Sequence, residues 1–112
     1  MEEVTEKWIT RIRAMAPKLA KAESDVFVAD ADLKRLLAQK KLKATSEGCR
    51  TVSAQDVYAE NTLEVYNARL EIAKTKGVLM GLKVQLKSLE VGFEEWRTQM
   101  VNSREERKRY GA

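Results

Sequence analysis

One segment, Ser46-Glu47-Gly48-Cys49-Arg50-Thr51-Val52-Ser53, divides an otherwise uninterrupted helical pattern. Before it, Trp8, Ile12, Met15, Leu19, Ala22, Val26, Ala29, Leu33 and Leu36 recur at steps alternating four and three. After it, a second series runs from Ala54, Tyr58, Asn61 and Val65 to Phe93, Trp96 and Met100 in the same rhythm. That spacing is the apolar seam of one helix packed on another. The expectation is an all-α chain, an antiparallel two-helix coiled-coil hairpin. It forms a single domain over residues 1–112, with a helix about 3–45, a turn 46–53 and a helix about 53–108.

Local signals agree with those limits. Glu2, Glu3 and Glu6 lie where a helix start favours anions, and Lys40, Lys41 and Lys43 where a helix end favours cations. Ser53 followed by Asp56 reads as an N-cap with a capping-box partner. Pro17 costs ~3 kcal/mol in a helix interior. It lies off the seam without shifting its phase, so a kinked continuous helix is expected, with a break as the alternative. Gly77, Gly81 and Gly92 also leave the phase intact. Folding at the turn sets Leu36 opposite Val65, Ala29 opposite Ile72, Met15 opposite Leu86 and Trp8 opposite Phe93. Asp30 then comes near Arg69 and Glu23 near Lys76, while Lys40 faces Asn61 and Lys43 faces Tyr58.

Composition excludes several chemistries. The chain has no histidine and one cysteine, Cys49, in the turn. The commonest general base and metal ligand are therefore missing, and no disulfide can staple the chain. No catalytic, cofactor-binding or metal-binding residues are expected, and the chain is read as no enzyme and as needing no cofactor. The start, Met1-Glu2-Glu3, is acidic, and no apolar run approaches the ~20 residues a membrane helix needs. No signal peptide and no membrane partner are expected.

The second helix carries a further apolar row, Tyr66, Leu70, Ala73, Gly77, Met80, Val84 and Val91, on the side away from its seam. With Gly81, spaced four from Gly77, this row offers a smooth surface for another helix. A two-helix hairpin cannot cover both faces, so self-association is expected, as a homodimer forming a four-helix bundle. Trp8, Phe93 and Trp96 should cluster at the open end, as packing or as an anchor for a partner. Arg97, Arg104, Arg107, Lys108 and Arg109 form a basic C-terminal tail suited to phosphate contact. A net charge of +4 is mild and permits nucleic acid without demanding it.

Ala20-Lys21-Ala22-Glu23, the turn Gly48 to Val52, Glu95-Trp96-Arg97 and Asn102-Ser103-Arg104 together resemble a group of small helical-hairpin proteins of unassigned function encoded by tailed phages and prophages. The chain departs from that pattern where Cys49 and Arg50 stand between Gly48 and Thr51-Val52. The resemblance implies an accessory protein, with a phage or host DNA-metabolism protein as partner and a cytoplasmic location in the bacterial host. It carries over no catalytic residue. The leading expectation is a non-enzymatic, self-associating helical adaptor in phage DNA replication or recombination. The alternatives are a nucleic-acid-binding module using the basic tail and an inhibitor docking a host protein through the aromatics.

Overall fold

A computed structural model describes residues 2–110. Met1, Gly111 and Ala112, which fall within the single domain expected over 1–112, lie outside the described residues. The chain is all-helical: α1 is Glu2–Ser46, α2 is Val52–Glu60 and α3 is Leu63–Arg109, with no strand among the described residues.

Helix α1 runs continuously through Pro17. The proline has no N–H to give to the turn before it, and the helix continues past it. At the other end, Gly48 adopts a φ of 96°, a left-handed conformation that favours glycine. The Cys49 N–H then donates to the Ala44 carbonyl at 2.9 Å, and the Gly48 N–H to that of Thr45 at 3.2 Å. This pair of reversed bonds is a Schellman ending, which satisfies carbonyls the helix would otherwise leave bare.

The second helix differs from the sequence expectation in two ways. Its cap is Thr51, whose Oγ1 accepts from the Ala54 N–H at 3.1 Å, rather than Ser53. Asp56, expected to complete a capping box, pairs instead with Lys41 at 3.0 Å. The helix also stops at Glu60 and restarts at Leu63. Thr62 makes the break: its hydroxyl donates to the Ala59 carbonyl at 2.7 Å and accepts from the Val65 N–H at 3.4 Å. Asn61 closes α2 with its N–H on Val57 and Ala59. The break resets the phase, so Ala54 and Asn61 are exposed, and the residue α2 buries is Ala59.

The chain forms two compact units, residues 20–80 and residues 2–19 with 81–110. In residues 20–80, small side chains close the interior. Ala22, Ala29, Ala44 and Ala59 are buried with Leu33 and Val65, and Val65 is 0% exposed. Ion pairs border them: Lys40 to Glu64 at 2.6 Å, Lys41 to Asp56, and Arg69 to Glu60. The expected Asp30–Arg69 pair does not form. Asp30 binds Lys34 one turn along its own helix, at 3.0 Å, and Arg69 is taken by Glu60. Glu23 and Lys76 are in no ion pair among the described residues. Lys40 reaches Glu64 rather than facing Asn61, because Asn61 has left the helix.

In residues 2–19 with 81–110, Met15 is buried and Trp8, Ile12, Leu86, Leu89, Phe93 and Trp96 are half-buried. Among the described residues the ion pair in this unit is Arg97–Glu94, one turn apart on α3, at 3.2 Å. Apolar contact is therefore the main cohesion there.

Candidate association surface

The seam residues expected on α1, from Trp8 to Leu36, are all buried or half-buried. On α3 the same is true from Val65 to Met100. The second row of α3 behaves oppositely. Within residues 20–80, Tyr66 is 58% and Met80 62% exposed, with Leu70, Ala73 and Gly77 exposed between them. Within the other unit Gly81, Val84 and Val91 are exposed as well. A Cβ built at Gly77 or Gly81 meets nothing within 4 Å, so the chain's own packing does not require glycine there.

The exposed apolar surface extends beyond the row expected from sequence. Leu63 continues the row one step before Tyr66 and is exposed. The three-residue step to Tyr66 was the available signal. On α1, Phe27 is 72% exposed, with Val28 beside it and Leu42 nearer the turn. These lie off the seam, among Ala20, Ser24, Ala31 and Ala38, with the charged Lys34 and Arg35 on the same side.

The aromatic residues meet as expected. Trp8 and Phe93 have ring centroids 6.2 Å apart and tilted by 42°. Phe93 and Trp96 are 6.2 Å apart and stacked at 15°. Trp8 also lies against Gly92, where a Cβ would come within 2.9 Å of its Cη2. All three rings are half-buried, so they serve packing first. An open groove beside them has Ile12, Val91 and Phe93 with Glu90, Glu94 and Glu95 among its lining residues.

The basic residues separate into two kinds. Arg97 is held by Glu94 and lies with its guanidinium carbon 5.6 Å from the Phe93 ring centre, a cation–π contact. Arg104, Arg107, Lys108 and Arg109 are exposed on the last turns of α3 and are in no ion pair among the described residues. The Lys40 ammonium holds the Glu64 carboxyl below its ordinary value, and the Arg69 guanidinium does the same to Glu60. Cys49 is half-buried, and its carbonyl accepts from the Gln55 amide at 3.2 Å.

Among the described residues no group of three or more acidic, cysteine or histidine side chains could hold a metal ion. None of the helices, as described, is long and apolar enough to cross a membrane. Comparison with known protein families, with curated proteins and with solved structures returns no match.

Proposed function

We propose that the chain is a non-enzymatic helical hairpin that self-associates through the outward face of α3 and acts as an adaptor or accessory factor. Two such hairpins side by side make a four-helix bundle. The hairpin reading is supported within residues 2–19 with 81–110, where Ile12 lines one groove with Lys87 and Val91, Trp8 meets Phe93, and Glu2 lines another groove with Met100 and Arg104, so residue numbers fall on one helix as they rise on the other. The self-association reading is carried by one observation. From Leu63 to Met80, α3 turns an apolar row to solvent at the same spacing as the row it buries. A single helix needs only one such face to pack on its partner, and a second one is an interaction surface. The accessory role in phage DNA metabolism is proposed on the sequence resemblance alone.

Sedimentation at several concentrations tests the reading. A mass above one chain of 12.8 kDa is expected at high micromolar concentration, and Met80→Glu should return it to one chain. Wild-type protein that stays at one chain's mass refutes the reading.

The exposed cations at the end of α3 favour a second activity, contact with nucleic-acid phosphates. Its mark is an affinity for labelled DNA that falls steeply as salt rises. Equal binding by a variant with Arg104, Arg107, Lys108 and Arg109 all changed to Ser would remove it.

A further inference from the structure

We propose that the break between α2 and α3 is a latched joint, which closes into one unbroken helix when the charges that hold it open are neutralised. The joint lies wholly within residues 20–80, and the proposal does not depend on self-association.

The sequence of this stretch fits two helical frames. Through Ala54, Tyr58, Asn61 and Val65 the seam spacing passes straight across the break, and no glycine or proline lies between Thr51 and Lys76. An unbroken helix would set Ala54, Tyr58 and Asn61 on the seam. The structure holds the other frame, in which α2 buries Ala59. The backbone step between the two is short. Asn61 has φ −83° and ψ 2°, so mainly ψ separates it from an α-helix. Its N–H still bonds the Val57 carbonyl four residues back, at 3.0 Å. Past the break, the Tyr66 N–H already bonds the Thr62 carbonyl at 3.2 Å.

Charge decides between the frames. Asp56, Glu60 and Glu64 are spaced by four. Asp56 and Glu60 share a face of α2, and closing the joint would add Glu64 to the same row. Like charges at that spacing oppose a helix. In the open joint each carboxylate has its own cation. Asp56 pairs with Lys41 at 3.0 Å and Glu64 with Lys40 at 2.6 Å, both cations on α1. Glu60 pairs with Arg69 on α3, whose Nε donates at 2.8 Å. This last pair belongs to the open joint alone. Nine residues of continuous helix rise ~13.5 Å through about two and a half turns, which would put Glu60 and Arg69 on opposite sides. Thr62 adds a second hold. Its hydroxyl accepts the Val65 N–H, which an unbroken helix would give to the Asn61 carbonyl.

Closing the joint would lay Ala59 four residues before Leu63 on the outward row of α3. The latch therefore sets where that apolar row begins.

Carbon-13 Cα shifts of the full chain test this. Glu60→Gln combined with Thr62→Ala removes the charge, the pair and the cap. The shifts of residues 61–63, relative to random coil, should move to unbroken-helix values while residues 52–60 stay helical. Unchanged shifts around Trp8 and Phe93 would verify that the rest of the chain is folded. Glu60→Gln alone, at an exposed position, should give the same movement at smaller amplitude. Arg69→Gln breaks the same ion pair but leaves the carboxylate charged, so it should move these shifts less than Glu60→Gln does. Wild-type shifts at residues 61–63 in the double variant would overturn the latch. So would loss of helical shifts over residues 52–60, because released α2 would then unravel instead of joining α3. An Arg69→Gln effect as large as that of Glu60→Gln would overturn the carboxylate row as the force that holds the joint open.

Discussion

Residues 20–80 and the segments 2–19 with 81–110 share the same two long helices but close their seams by different means. The first unit is sealed by small residues, four of them alanines, with side-chain caps and ion pairs at its border. The second is closed by large side chains, most of them only half-buried, around Trp8, Phe93 and Trp96. Alanines let helices approach closely, so backbone conformation and polar satisfaction decide how well the first unit fits. Large rings fill space at a distance, so the second depends on a few contacts of large area. The same seam spacing therefore predicts different sensitivities in the two places.

The sharpest way to break this contrast is to remove one ring. Phe93 touches both tryptophans and lies under Arg97. Phe93→Ala should cost about 3 kcal/mol, the lower end for a phenylalanine because the ring is half-buried. Val65→Ala, at the most enclosed large side chain of the other unit, should cost about 2 kcal/mol. Urea titration of the two variants decides. A larger loss at Val65 would mean that the small-residue unit carries more of the stability.

Much of this architecture is written in the apolar spacing. The alternation from Trp8 to Leu36 and from Val65 to Met100 survives intact because burial on a helix follows its period. The break at Asn61-Thr62 was hidden by the same rule. Asn61 falls on a seam step, so periodicity reads straight through it. Its side-chain chemistry says otherwise, since Asn suits a helix end and Thr a helix start. The ion pairs failed for a related reason. Seam register sets which residues lie level, but Asp30 finds Lys34 on its own helix, and the break brings Glu60 to Arg69. Of the candidate surface, the α3 row was legible because Tyr66, Leu70 and Met80 are large and regularly spaced. Phe27 was not, because its neighbours on that face are alanine and serine and the row is interrupted by Lys34 and Arg35.

A second test sets backbone conformation in the turn against the helices. Gly48→Ala puts a Cβ into a left-handed conformation and should cost about 1–2 kcal/mol, although nothing lies within 4 Å to clash with it. The loss should appear with the carbonyl bonds of Ala44 and Thr45, as faster amide exchange at Cys49 and Gly48. An Asn at position 48, which tolerates this conformation better, should recover part of the loss.

The glycines of α3 sharpen the aromatic side of the contrast. Gly→Ala in a helix interior ordinarily gains up to ~1 kcal/mol. Gly81→Ala has open space around it and should show that gain. Gly92→Ala would set its Cβ 2.9 Å from Trp8 Cη2 and 3.2 Å from Cζ3, so the indole must move and the gain should be lost. Trp8→Leu in the same chain should restore the ordinary benefit of Gly92→Ala. Equal stabilisation by Gly81→Ala and Gly92→Ala would show that the ring is not held against α3.

Acid should separate the two units by the smallest margin. Glu60 and Glu64 are held below their ordinary carboxyl values by Arg69 and Lys40 respectively. A lowered folded-state value means that the pairing favours the fold at neutral pH, where both folded and unfolded carboxyls are ionised. That contribution is lost as pH falls from the ordinary glutamate range through the lowered values. Both carboxylates are exposed, so solvent screens the effect and it stays small. Its location makes it informative: these pairs join α1 to the start of α3 and steady α2 beside it. Amide exchange corrected for intrinsic pH dependence should therefore quicken in α2 and the first turns of α3 on acidification, with no matching change around Trp8 and Phe93. Glu64→Gln should show the α2 and α3 change already at neutral pH. If acid instead loosened the aromatic segments first, the ion pairs would not be what distinguishes the two units.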